Sequence, residues 1–305
     1  MLLASMPSLA PLFARALLAR GKKGALPSSM PEGRIRVEDV RIDSSHLHNY
    51  RTLVGAPEST VAAGGASLPI CYPHLLSFPL QLKLLVAPDF PLPLLGLVHL
   101  RNRIRLLGQL DVHQPLAIEC WLGEQRSTER GLEFDLWTQV EQQGQPLWQS
   151  CSVNLYRQGS AGETSTGSST RASQRRPVSP LATTECWSLA ANLGWLYARS
   201  AGDFNPIHLH PLSAKLFGFP RAIIHGMWSK ARCLSRLQPL LDSLGTKLEI
   251  ECDFKTPVFL PGQVLMSWQE EGEAGIAFLL QDGEGVKPHL QGRVRSLADP
   301  LMDAV

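Results

Sequence analysis

Between Gln158 and Pro180 the chain reads QGSAGETSTGSSTRASQRRPVSP, and no apolar period survives there. Ser, Thr, Gly and Arg dominate, the composition of a flexible, solvated linker. Its second half is basic, with Arg171, Arg175 and Arg176 set against Glu163. That charge suits a soluble spacer better than a binding patch. A break at this point divides the 305 residues into two parts, each of single-domain size. The boundaries read as an N-terminal extension over 1–30, a first domain over 31–158, the linker over 159–180 and a second domain over 181–305. With 44% hydrophobic residues the chain can fill two cores.

The two parts repeat one order of elements. In the second, Cys186–Arg199 has helical spacing, Pro211–Phe217 a short helix and Gly226–Leu244 a longer one. Strand-like runs follow at Lys247–Lys255, Gln263–Glu270, Gly275–Leu280 and His289–Ser296, with Pro-Gly and Asp-Gly turns among them. In the first, Ile35–Ile42 reads as a strand and Tyr72–Val86 as an apolar helix. Strands are then expected at Leu97–Leu106, Leu116–Leu122, Leu132–Val140 and Trp148–Tyr156. Pro79 and Pro239 are expected to bend or divide the two long helices. Helix followed by antiparallel strands, twice over, predicts an α+β fold with a helix packed on a sheet in each half.

Composition excludes several partners. Lys+Arg 29 against Asp+Glu 27 leaves a net charge of +2, no electrostatic reason to expect nucleic acid. The six cysteines form no C-x-x-C pair and match neither a zinc ribbon nor a disulfide framework, so they read as buried thiols. No stretch approaches the ~20 uninterrupted apolar residues of a membrane span. At the N-terminus the basic residues follow the apolar stretch, and Pro7 and Pro11 interrupt it, unlike a secretory signal. No acidic residue precedes Glu32, and Leu12–Arg20 is partly amphipathic. This is the composition of a mitochondrial transit peptide, and a mitochondrial matrix location is expected, with the cytoplasm as the alternative. The competing reading is a short helix that stays on the protein and packs on its body.

The chemistry concentrates in Tyr197–Met227, YARSAGDFNPIHLHPLSAKLFGFPRAIIHGM. Asp203, Asn205 and His208 fall within six residues of a loop bounded by Gly and Pro. A carboxylate beside an imidazole is an acid–base pair able to work near neutrality. Pro206 stiffens the turn, and Asn205 is suited to bond its backbone. His225 and Gly226 then open a helix, where unpaired N–H groups favour negative charge and glycine admits a ligand oxygen. Base, acid and oxyanion donor together are what enolate chemistry requires. Taken singly, Gly-Asp-x-Asn-Pro is an ordinary turn and His208 a structural histidine; it is their order that is specific. His208-x-His210 offers two metal ligands, too few for a site, and no metal is expected. His99, in the run GLVHLRN, reads as structural.

This stretch resembles the MaoC-like hydratases and dehydratases, the (R)-specific enoyl-CoA hydratase branch of the hotdog fold. Gly202, Asp203, Asn205, Pro206, Ile207, His208, Ala214, Gly218, Phe219, His225, Gly226 and Met227 match the family's hallmark over about thirty residues. Ala201 stands where serine is usual and His210 where aspartate is usual. The resemblance implies a double hotdog: two antiparallel sheets, each wrapping a central helix, packed as a pseudo-dimer. It implies Asp203 and His208 as the catalytic pair, the Gly226 N–H as oxyanion hole, and Asn205, Pro206 and His225 as supports. It also implies interconversion of trans-2-enoyl and (R)-3-hydroxyacyl thioesters, on CoA or acyl-carrier protein, without a cofactor and in a possible homodimer. A non-catalytic acyl-thioester-binding or scaffold protein and a thioesterase are the alternatives. The first half lacks the Asp-x-Asn-Pro-x-His run and reads as a degenerate partner, whose helix broken at Pro79 is expected to widen the acyl tunnel.

Overall fold

The computed structural model describes residues 1–18, 27–57, 68–94, 96–157, 178–272 and 275–297. Most of the expected linker, residues 159–177 of 159–180, lies outside them.

The first half contains β2 (Arg34–Val40), α2 (Ser44–Val54), α3 (Tyr72–Leu85), β3 (Leu97–Leu106), β4 (Leu116–Thr128), β5 (Gly131–Gln142) and β6 (Gln145–Tyr156). The second contains β7 (Thr183–Leu189), α4 (Leu193–Ala201), a 3-10 turn (Pro206–His208), α5 (Pro211–Lys215), α6 (Gly226–Ser243), β8 (Leu248–Phe254), β9 (Gly262–Glu270), β10 (Ile276–Asp282) and β11 (Pro288–Ser296). The strands run β2-β4-β5-β6-β3 in the first half and β7-β9-β10-β11-β8 in the second. These are the same order by rank, so the repeat read from the sequence is a repeat in space. Each half is a hotdog, with α3 against β4 and β5 and α6 against β10 and β11.

The halves meet edge to edge. β3 pairs antiparallel with β8, Ile104 opposite Ile250, and the two sheets become one. This pairing satisfies the N–H and C=O groups that two open edges would leave exposed. The core is likewise continuous: Tyr72, Leu75 and Ile104 of the first half share one buried cluster with Trp228, Leu234 and Ile250 of the second. A polar pin crosses the seam. Lys230 of α6 is fully buried, and its Nζ donates to Asn102 O at 3.0 Å and Asn102 Oδ1 at 2.6 Å on β3. The pseudo-dimer is thus a double hotdog with a shared sheet and a shared core.

Several elements differ from expectation. Cys186–Arg199 is not one helix: β7 occupies Thr183–Leu189 and α4 begins at Leu193. Trp187 and Leu189 point inward while Ser188 is exposed, a period of two hidden within an apparently helical spacing. α3 runs unbroken through Pro79 and α6 through Pro239. Proline removes one helical hydrogen bond, and packing of α3 on the sheet outweighs that cost. The broken helix invoked for a wider tunnel is therefore absent. α2 escaped notice because its sequence, SSHLHNYRTLV, is polar; Asp43 caps it by accepting from His46 N at 2.9 Å, and Gly55 ends it at φ +63°. Five cysteines are buried as expected, but Cys186 is exposed; all six are free.

The N-terminal segment joins the body. Leu2–Leu3 (β1) adds a parallel strand to β2. Helix α1 (Leu9–Leu18) buries Leu12 and Ala16 against Leu82 of α3 and Val86, which follows it.

Candidate active site

α4 ends at Gly202, whose φ of +74° is a left-handed conformation glycine adopts without strain. The chain leaves the helix at that residue, and Asp203 follows. The Asp203 Oδ1 accepts from Asn205 N at 3.1 Å. Asn205 Oδ1 accepts in turn from Ile207 N at 3.4 Å, capping the 3-10 turn that Pro206 starts and His208 closes. These are the turn roles expected of Asn205 and Pro206. α4 passes so close to the turn that a Cβ on Gly194 would lie 2.1 Å from the His208 carbonyl oxygen. Gly194 is a requirement of the site that no motif announced.

The His208 ring is buried, and its Nδ1–H donates to the Ile223 carbonyl at 2.8 Å. A carbonyl can only accept, so this bond fixes the tautomer and leaves Nε2 with its lone pair. His225, the N-cap residue of α6, stacks on His208 with ring centroids 3.6 Å apart. Its Nε2–H donates to the Asp203 carbonyl at 3.0 Å and lies 3.8 Å from the Asp203 carboxylate. Asp203, His208 and His225 each contribute one side-chain atom to a cluster spanning at most 4.8 Å. The loop that follows α4 and the entry to α6 are thereby tied into one constellation.

Burial sets the protonation states. It pushes the Asp203 carboxyl above its usual value, opposed by His208 and by the Asn205 N–H. It pulls His208 below the usual histidine value, opposed by Asp203 and the Ile223 carbonyl. His225 is held well below it by burial, then by His208. At neutral pH the stacked rings are thus uncharged, and the proton affinities of Asp203 and His208 are drawn toward one another. His210, flagged for its spacing from His208, is on the surface, where its Nδ1 accepts from Leu212 N at 3.1 Å and caps α5.

Gly226 is the first residue of α6, where helix geometry leaves N–H groups without an acceptor. The Phe254 ring stands beside it, 3.0 Å from where a Cβ would be. The Phe254 ring also meets the His99 ring at 4.9 Å between centroids, and His99 stacks in turn with His74 of α3.

A family model described as MaoC like domain matches residues 163–290, the span holding every residue of this constellation. The chain carries a MaoC-like domain. The likeness extends beyond that domain. The 3-hydroxyacyl-thioester dehydratase X of Mycobacterium tuberculosis is 29% identical over 285 residues, 92% of this chain and 97% of that protein. The crystal structure of HtdX from the same organism superposes with a TM-score of 0.71 at 27% identity, covering 87% of this chain and 100% of that one. A further M. tuberculosis protein, described as having a double hotdog fold, matches with a TM-score of 0.55 at 12% identity over 84% of this chain and 92% of its own, a likeness of fold alone. The match covers the second half from β7 into β11, and the first half completes the double hotdog.

Proposed function

We propose that this protein is a hydratase/dehydratase of acyl thioesters, interconverting trans-2-enoyl and (R)-3-hydroxyacyl forms with Asp203 and His208 as its acid–base pair. The observation that carries the reading is the His208 tautomer. Its Nδ1 is committed to Ile223, so the free Nε2 lone pair and the Asp203 carboxylate are left to share a proton beside the start of α6. The similarity to a named 3-hydroxyacyl-thioester dehydratase over nearly the whole of both chains supports it.

In hydration, a water held by the pair gives one proton to it as the water oxygen bonds to C3. The C2–C3 π electrons move toward the thioester oxygen, and the Gly226 N–H receives the developing charge. An oxyanion donor of this type is worth about 3 kcal/mol in the transition state. The enolate then collapses, C2 takes back the proton the pair holds, and the catalyst is unchanged. Dehydration is the reverse. Asn205 and Pro206 hold the loop, and His225 orients Asp203 through its backbone. The thioester carrier is CoA or acyl-carrier protein.

The test is incubation with crotonyl-CoA and a longer trans-2-enoyl-CoA, following the conjugated enoyl absorbance and free thiol. Loss of absorbance without thiol supports the hydratase. Thiol release identifies a thioesterase, and neither change identifies a binding protein.

For location, the basic, acid-free N-terminus supports mitochondrial import, and the packing of α1 on α3 supports its retention after any import. Organelle fractionation, with the mass of the mature chain, decides between matrix and cytoplasm. A homodimer of the double hotdog is the proposed assembly, read by light scattering. Among the described residues no helix is long and apolar enough to cross a membrane.

A further inference from the structure

The loop that carries Asp203 is not held by its own half alone. Gly202, which ends α4, faces Leu9 of α1: a Cβ at Gly202 would lie 2.4 Å from Leu9 Cδ1 and 3.7 Å from the Phe78 ring of α3. Phe204, the residue after Asp203, is gripped edge-on from two sides. Phe13 of α1 approaches at 6.2 Å and 81°, and Trp195 of α4 at 6.0 Å and 68°. Phe13 also contacts Phe78 at 6.4 Å. The same face of α1 anchors it, through Leu12 and Ala16 buried on Leu82 and Val86. Both residues flanking Asp203 therefore rest on the N-terminal segment, a part of the chain whose composition alone reads as removable.

We infer that α1 is a positioning element of the active site, with Leu9 and Phe13 fixing the backbone on either side of Asp203. The physical argument is one of degrees of freedom. Gly202 has the widest backbone freedom in the loop, and its left-handed conformation is one of several open to it. Asp203 itself is only part-buried and bonds its own loop through Asn205 N. Its flanks must therefore be fixed from outside, and of its two neighbours along the chain Phe204 is the one with a large side chain. An edge-to-face aromatic pair restrains a ring in orientation as well as in position. Because Asp203 O also receives the His225 N–H, a shift of this backbone moves the acid–base pair relative to α6. Neither Leu9 nor Phe13 touches the reacting atoms in this account.

The inference rests on the hydratase reading for its kinetic readout and on exchange for a readout independent of it. Full-length Phe13→Ala, Leu9→Ala and Phe13→Leu are compared with wild type, with exposed Arg15→Ala as a control. The measurements are kcat and KM for a trans-2-enoyl-CoA and amide hydrogen exchange across the chain. Phe13→Ala is expected to lower kcat about tenfold or more, since small misplacements of reacting groups carry costs of that order. KM should stay within about twofold, exchange should quicken over residues 203–208, and β10 and β11 should keep their protection. Leu9→Ala should act in the same direction. Phe13→Leu, which refills the apolar volume, should recover part of the loss, and it carries the test if Phe13→Ala does not fold. Unchanged exchange over 203–208 in both Leu9→Ala and Phe13→Leu, or quickening spread evenly over the chain, overturns the inference. If the wild type shows no hydration, the hydratase reading fails and exchange alone decides the positioning role.

Discussion

The two halves share a strand order, a central helix and a helix before it, yet they differ at the N-terminus of the central helix. In the second half that position is Gly226, preceded by His225, with its N–H free by geometry and its surroundings supplied by the Asp203–His208 turn. In the first half the corresponding position is Tyr72, whose N–H is spent on Pro69 O at 2.8 Å. Pro73 follows and has no N–H at all. The side chains there are Cys71, with its thiol pushed up to about 11 by burial, and Tyr72, its hydroxyl pushed well above the usual tyrosine value by burial and bonded to His46. Such groups keep their protons at neutral pH. The same backbone scaffold therefore holds an anion-receptive helix end in one half and a closed one in the other. The fold provides a place for chemistry, and a handful of residues at one helix entry decide whether it is used.

The sharpest way to break this contrast is to make the second half resemble the first. Asp203→Asn and His208→Gln, each close in shape to the native side chain, are expected to lower hydration at least ~100-fold with the fold intact by circular dichroism. Near wild-type turnover in either would remove that residue from the mechanism. A smaller effect is expected from Gly194→Ala. The added methyl group must displace the His208 carbonyl, and kcat should drop about tenfold while the melting transition stays cooperative, as a perturbation confined to the turn requires. A substitution without kinetic consequence would show that α4 does not set the position of His208.

A pH titration of stability sharpens the other side of the contrast. His74 of α3 is held down to about 3 by desolvation, then by His99 and Lys230, and His99 to about 4 by desolvation and then Lys230. Both lie below the ordinary 6.5, so the unfolded chain binds protons first as pH falls. Stability should be at its full value above about pH 6.5 and decline progressively toward pH 3–4. His74→Phe should flatten that decline, as read by urea midpoints across the range. An unchanged slope would mean that His74 is not neutral in the fold.

Much of this was legible in the sequence where one physical signal acted alone. β3, β8 and β11 follow from apolar alternation, and α6 from its period and from Gly226. The Asp203–His208 turn was legible because proline and asparagine announce turns, and an Asp and a His lie within it. What was not legible depends on contacts between distant segments. β7 was hidden because Trp187 and Leu189 fit a helical spacing equally well. Pro79 and Pro239 did not break their helices, because packing on a sheet is invisible to local propensity. Lys230 carries a charge that no local pattern places in a core, and the seam with Asn102 explains its burial. The role of Gly194 needs the approach of α4 to a carbonyl fourteen positions on, which no local pattern encodes.

The central claim is that one half alone holds a working site. Its most direct measurement is calorimetric titration with a saturated acyl-CoA, which fits the site but has no double bond to hydrate, together with its inhibition of enoyl-CoA hydration. The account predicts one equivalent bound per chain, with a dissociation constant equal to the competitive inhibition constant. Two equivalent sites per chain, or binding that does not compete with hydration, would contradict it.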